Sequence, residues 1–327
     1  MRRLAYLGAI AGLALLTALV LLQGWDDILA AFRRAGWALL LVVPVRLLTL
    51  TLDAWAWRVL LGPFDPGRQA GPLFLLWVAG VREGVNRLLP AAGIGGEVVG
   101  VRLARLRIPD TTALIASVIV EVLVTIAVLY LFCGIGVMLM ASLAAGLGQV
   151  WIVAASLLLS LPLPLLAWWL LRRGAPFERL QRWAVRLLGP EHRIAPQLDG
   201  AGLDADIRRL FRARGRIAHA MGLTLLSYLL GSFETWYALT LLGHPVSPQA
   251  AIAIEALTQA TRHAGFLVPA GLGVQEAAVI LIGHLAGVGG DVALSLALVK
   301  RMREVLIGIP ALLSWQWFET RRARRVA

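Results

Sequence analysis

Apolar runs near 20 residues recur along the chain and predict membrane-spanning helices. Leu4–Leu22 is the first, behind Arg2 and Arg3; it lacks a small-residue cleavage site and reads as an anchor. Trp25, Ile28, Leu29 and Phe32 then recur at helical spacing, as on a short helix at the outer surface. Further spans are expected over Trp37–Leu61, Thr111–Met138, Gln149–Leu171, Met221–Leu242 and Val292–Phe318. Two other apolar segments break at Pro and Gly. Pro72–Leu89 acquires Arg82, Glu83, Asn86 and Arg87, stops at Pro90, and resumes beyond Gly93, Gly95 and Gly96. Gln249–Val268 and Val274–Ala286 flank the second break.

The two breaks align without gaps. Leu88-Leu-Pro-Ala-Ala-Gly-Ile-Gly-Gly-Glu97 lies on Leu267-Val-Pro-Ala-Gly-Leu-Gly-Val-Gln-Glu276, each with Glu seven residues after Pro. Arginine placement predicts that the first hairpin opens to the cytoplasm and the second outside. Paired, opposed, broken segments point to an inverted-repeat transporter with its site near the midplane. Two ordinary surface helix–loop–helix connections are the alternative. The expectation is an all-α polytopic membrane protein, one integral membrane domain over 1–327, with about six full spans and two oppositely oriented re-entrant hairpins. Its half-repeats would run over about 37–171 and 219–319, around a cytoplasmic loop at 172–218.

Composition supports this and locates the charge. Of 327 residues, 59% are hydrophobic and 15% charged; mean hydropathy is +0.78, and the pI near 11.3 reflects a net charge of +12. That hydropathy argues against a nucleic-acid binder. The excess sits at Arg2 and Arg3, in the tail Arg321–Arg325, and in 172–216, where eleven Arg face five acidic residues. These segments and both termini are therefore expected in the cytoplasm of a bacterial inner-membrane protein, near anionic headgroups. Phe177, Leu180, Trp183 and Leu187 share a face beside Arg179, Arg182 and Arg186, predicting a basic amphipathic helix on the inner leaflet. Trp37, Trp57, Trp151, Trp168 and Trp317 fall near span ends, as in an aromatic belt.

Elsewhere 14 basic and 14 acidic residues balance, several at membrane depth. Glu121 and Glu234 fall mid-span; Glu255, Arg262 and His263 precede the second break; Lys300, Arg301, Arg303 and Glu304 fall within the last span. Mid-depth charge costs about 2.5–3.5 kcal/mol on insertion scales, so these groups need partners. Lys300 and Glu304 are expected to pair one helical turn apart. Arg301 and Arg303 then require acidic partners or an anionic ligand, and the translocation reading makes them the ligands of a lipid phosphate in a central cavity walled by the two breaks; structural ion pairs satisfy the cost equally. A Gly-Lys-Ser/Thr loop, a His-Glu-x-x-His helix, a Gly-x-Ser-x-Gly elbow and a histidine cluster are all absent from the sequence. No cofactor, metal or catalytic residue is expected.

Asn86-Arg-Leu-Leu-Pro90 leading to Gly96-Glu97 and Arg102, then Phe266 through Pro269, Gly271, Gly273 and Glu276, then Arg303 with Gly308, resemble the lysylphosphatidylglycerol synthase transmembrane (flippase-like) family. Pro-Ala-Ala-Gly-Ile-Gly-Gly-Glu-Val-Val-Gly, Val-Pro-Ala-Gly-Leu-Gly-Val-Gln-Glu-Ala and Lys-Arg-Met-Arg-Glu-Val-Leu-Ile-Gly-Ile-Pro are most similar to its hopanoid-biosynthesis-associated branch. The wider family more often has a shorter Pro-to-Glu spacing enclosing an Arg, which this chain lacks. The resemblance spans essentially the whole chain and implies lipid translocation or lipid handling. No aminoacyl-transfer activity is expected, because the chain stops at Ala327. An accessory scaffold in hopanoid synthesis or trafficking, and an intramembrane transferase using Glu97 or Glu276 as base, are the rival readings. Membrane lipids, as anionic headgroups or hopanoids, are the expected partners; a second copy or hopanoid-pathway proteins are further ones. Asn86, Arg87, Pro90, Gly96, Glu97, Arg102, Glu121, Glu234, Glu255, Arg262, Pro269, Gly271, Gly273, Glu276, Arg301, Arg303 and Glu304 form the candidate substrate site.

Overall fold

The computed structural model describes residues 36–89, 95–143, 161–188, 199–264 and 273–326, with a few isolated positions besides. The expected first span, the helix at 25–32, most of 149–160, and Pro90, Pro269 and Gly271 lie outside them. Every regular element described is helical. A 3-10 turn, Gly36–Leu41, leads into α1 (Val42–Leu61). Then come α2 (Pro72–Leu88), α3 (Gly95–Ala104), α4 (Thr111–Leu143), α5 (Pro162–Arg173), α6 (Pro176–Leu188) and α7 (Gly200–Arg212). The second half holds α8 (Arg214–Leu241), α9 (Pro248–Ala264), α10 (Val274–Leu285) and α11 (Gly290–Val326). Two of the described helical segments, 36–61 and 111–142, are long and apolar enough to cross a membrane. Glu234 in α8 and Lys300, Arg301, Arg303 and Glu304 in α11 lower the hydropathy of those two helices. Exposed apolar side chains such as Trp37, Leu73, Met138, Leu163 and Leu281 suit a lipid-facing exterior.

Packing is reciprocal between the halves. α1 lies along α8; α2 packs against α11, and α9 packs against α4. Each broken segment also packs on itself, α2 on α3 and α9 on α10. Glycine permits both long crossings. A Cβ on Gly308 would come 2.6 Å from the Leu88 side chain and 3.3 Å from Gly84 Cα. One on Gly136 of α4 would come 2.5 Å from Ala256 Cβ on α9. Small residues thus bring backbones close where lipid supplies no hydrophobic drive for helix association.

The expected cytoplasmic loop contains two packed helices. Buried Asp204 of α7 accepts hydrogen bonds from the Phe177 and Glu178 N–H groups, at 3.4 and 2.9 Å, capping the start of α6. Gly200 N–H donates to Gln181 Oε1 at 2.9 Å. Ile207, Leu210 and Phe211 bury against the core that includes Val120 and Val124. Leu180 and Trp183 remain 63% and 65% exposed, as an interfacial helix face requires.

One tryptophan departs from the expected belt. Trp57 is fully buried, and its indole N–H donates to Ser117 Oγ at 3.1 Å. A neighbouring hydroxyl satisfies the polar edge, so the ring is retained inside.

Candidate functional site: a buried polar cavity

Polar residues recur on one face of each helix that meets the centre. On α1 these are Arg46, Thr49 and Asp53; on α8, Thr224, Ser227, Tyr228 and Glu234. On α9 they are Glu255, Thr258, Gln259 and Arg262. Spacings of three, four and seven residues gather each set into one stripe. Arg82, Glu83, Asn86 and Arg87 of α2, Glu97 of α3, Glu121 and Thr125 of α4, Gln275 of α10, and Lys300 and Arg303 of α11 complete the polar part of the lining, beside Leu50, Ala54, Ala56 and Ala79. The stripes enclose a cavity of about 220 Å³. Six basic and six acidic residues line it, so its formal charge is balanced.

Most of these charges are paired. Arg46 Nη2 lies 2.6 Å from Glu83, and Arg87 Nε lies 3.7 Å from Glu83 and 3.8 Å from Glu304. Arg301 contacts Glu304 at 3.0 Å and Glu276 at 2.8 Å. This makes a continuous chain of ion pairs from α1 through α2 to α11 and α10. Arg82 bridges Glu121 at 3.0 Å and Glu97 at 3.4 Å, with its guanidinium over the Trp57 ring. Arg303 Nη1 holds both Glu234 oxygens at 2.5 Å. Lys300 pairs with Glu255, which also accepts from Thr235 at 2.6 Å and from Gln259 at 2.8 Å.

Lys300 therefore does not make the expected pair with Glu304. Glu255 is buried on facing α9 and needs a cation, and the lysine supplies it. Glu304 turns to Arg301 and Arg87 instead. Such buried pairs resist disruption because removing one partner strands the other charge.

The glutamates following the two breaks occupy similar local positions. Glu97 sits in the first turn of α3, and Glu276 in that of α10. There a carboxylate meets free N–H groups and the positive end of the helix dipole. Glu276 accepts from Gly273 N–H at 2.8 Å. Asn86 bridges the first break, accepting from Gly96 N–H at 2.8 Å and donating to Glu97 Oε2 at 3.2 Å.

Several buried polar atoms lack a hydrogen-bond partner among the described residues: Arg46 Nε, Arg87 Nε, Thr258 Oγ1, Gln275 Oε1, Arg303 Nε and Glu304 Oε1. Arg262 donates to Gln259 Oε1 at 2.5 Å and has no ion pair among the described residues. Unsatisfied buried groups are expensive, so such a concentration calls for water or a polar ligand.

The sequence-selected residues divide accordingly. Asn86, Arg87, Glu97, Glu121, Glu234, Glu255, Arg262 and Arg303 line the cavity, while Glu276, Arg301 and Glu304 join its ion-pair chain. Gly96 and Gly273 start the helices after the breaks. Arg102 points away: its side chain is 66% exposed and pairs with Glu319 at 3.0 Å. Arg46 and Asp53 were not selected from the sequence, although their spacing with Thr49 marks a polar face inside an apolar helix.

Comparison with known families decides the relationship. The family model described as the lysylphosphatidylglycerol synthase TM region matches residues 9–311. The chain belongs to that family. No curated protein and no solved structure matches it. Family membership and the apolar helices make this a membrane protein with a lipid-related role.

Proposed function

We propose that the protein translocates a lipid between leaflets, the central cavity receiving the polar headgroup while the apolar tail stays against the bilayer. The observation that carries this reading is that Arg46, Arg87, Thr258, Gln275 and Arg303, all lining one cavity, each hold a buried polar atom with no hydrogen-bond partner among the described residues. Arg87 and Arg262 are the headgroup ligands in this account, with Thr258 and Gln275 completing the contact. Their donors are less committed than those of Arg303, whose Nη1 grips Glu234. The remaining ion pairs hold the helices around the opening.

The α2–α3 and α9–α10 hairpins are read as oppositely inserted elements of an inverted repeat, within about six full spans. Their reciprocal packing, α2 on α11 and α9 on α4, supports that arrangement. The arginine-rich 172–216 segment favours an inner-membrane protein with both termini cytoplasmic. The motif resemblance favours the hopanoid-associated branch, with hopanoids or anionic phospholipids as cargo. The closed Arg303–Glu234 and Lys300–Glu255 pairs equally suit a non-transporting scaffold, the second reading.

Reconstitution into liposomes carrying fluorescent headgroup-labelled lipids, quenched from outside, tests the proposal. Faster loss of inner-leaflet label than in empty liposomes is expected, with the acceleration removed by Arg262→Gln. Equal rates with and without protein, across phospholipids and a hopanoid, refute translocation.

A further inference from the structure

A second concavity, of about 470 Å³, opens between the α1–α2 connection and the first turn of α8. It shares no lining residue with the central cavity. Arg58, Arg68 and Arg216 border it, and their side chains have no ion pair or hydrogen bond among the described residues. The acid beside them is already committed: Asp65 Oδ1 and Oδ2 accept from the Gln69 and Ala70 N–H groups, both at 2.9 Å.

Two backbone features shape this cluster. A Cβ on Gly62 would fall 2.1 Å from Arg216 Nη1, so the glycine leaves the space that the guanidinium occupies. Arg68 has φ +50°, and it is the one non-glycine residue with positive φ among the described residues. A non-glycine residue is uncommon there, and the conformation fixes where the Arg68 side chain leaves the turn. Attraction to the α1 carboxyl end favours cations at Arg58 and Arg216, and the turn that Asp65 closes, its carbonyl accepting from Arg68 N–H at 3.1 Å, sets Arg68 beside them. Trp55, half exposed, stands at the edge, where an indole suits the boundary between lipid tails and headgroups.

We propose that this concavity binds a phosphate group at the membrane interface, gripped by Arg58, Arg68 and Arg216. A planar guanidinium fork matches phosphate oxygens in pairs, and three forks around one hollow neutralise its charge. The group comes either from an anionic phospholipid headgroup or from free phosphate. The site does not depend on translocation through the central cavity.

Thermal-shift titration of the full chain in detergent separates the cases. The probes are short-chain phosphatidylglycerol, short-chain phosphatidylcholine and inorganic phosphate. Saturable binding of phosphatidylglycerol is expected, at least tenfold tighter than of phosphatidylcholine. Both the Arg58→Gln/Arg216→Gln double variant and Arg68→Gly should weaken it about tenfold. Arg105→Gln, at another exposed arginine, should not. Inorganic phosphate matching the phosphatidylglycerol affinity names free phosphate as the ligand; much weaker phosphate binding names the headgroup. Retained melting temperature of the unliganded variants shows that they fold, and Arg68→Gly, which relieves strain, guards against a folding artefact. No saturable response to either anionic probe overturns the proposal, as does binding unchanged in both variants.

Discussion

The Glu234–Arg303 pair offers the sharpest energetic test. Glu234 is 2% exposed, and both its oxygens lie 2.5 Å from Arg303 Nη1. Arg303 is 7% exposed, and its Nε has no hydrogen-bond partner among the described residues. Glu234→Leu leaves that guanidinium buried without its carboxylate, a loss of about 3–5 kcal/mol for one partner of a buried pair. At about 1.4 kcal/mol per factor of ten, the folded-to-unfolded ratio falls at least a hundredfold. Arg303→Met should cost a similar amount by stranding Glu234. Replacing both removes the desolvation penalty with the attraction, so the double variant should lie within about 1 kcal/mol of wild type or above it. The coupling energy is then at least about 5 kcal/mol, which a double-mutant cycle isolates. Reversible unfolding of purified protein in mixed micelles, followed by helical circular dichroism, measures it. Single variants each costing under about 1 kcal/mol, or a double variant as unstable as the two losses added, refute this account of the pair. A stable double variant that no longer moves lipid assigns the pair to transport; one that does assigns it to structure.

Other outcomes follow from particular contacts. Gly308→Leu drives a side chain into Leu88 and Gly84 at the α2–α11 crossing and should cost about 1–3 kcal/mol of overpacking strain, read by the same unfolding assay. Asp204→Ala removes the acceptor for the Phe177 and Glu178 N–H groups and should cost about 1–2 kcal/mol, with faster hydrogen exchange at those two amides. Unchanged exchange there contradicts the capping role. Arg262→Gln should leave the unfolding midpoint nearly unchanged, because no ion pair among the described residues is lost, while removing translocation. A large stability loss in that variant would make Arg262 structural.

Much of the architecture was legible because its physical causes are local. Apolar runs, the Pro and Gly breaks, and a Glu seven residues beyond each Pro marked α2–α3 and α9–α10 before any contact was known. Partner identity was not local. Lys300 has Glu304 one turn away, yet pairs with Glu255 on another helix, because burial makes the unpaired carboxylate more costly than a forgone same-helix pair. Arg46 and Asp53 were overlooked because Trp37–Leu61 reads as an ordinary span. Their spacing with Thr49 shows the signal to seek, a polar stripe at helical period inside an apolar segment. The 172–216 segment revealed its basic charge and amphipathic face, but not the pairing of α6 with α7, in which Asp204 accepts from the Glu178 N–H 26 residues earlier in the chain. Trp57 carried no sequence mark separating it from an interfacial ring; only the nearby Ser117 hydroxyl explains its burial.

If the protein translocates lipid as proposed, a lipid headgroup enters the polar cavity and contacts Arg87 and Arg262. An experimental density map of the full chain in lipid nanodiscs tests it most directly. Headgroup density is expected between those two guanidiniums, within hydrogen-bonding reach of Thr258 Oγ1, continuous with an acyl or hopanoid tail reaching the bilayer. A cavity filled by water alone in lipid-replete nanodiscs, with Arg87 and Arg262 turned onto protein carboxylates, would contradict it.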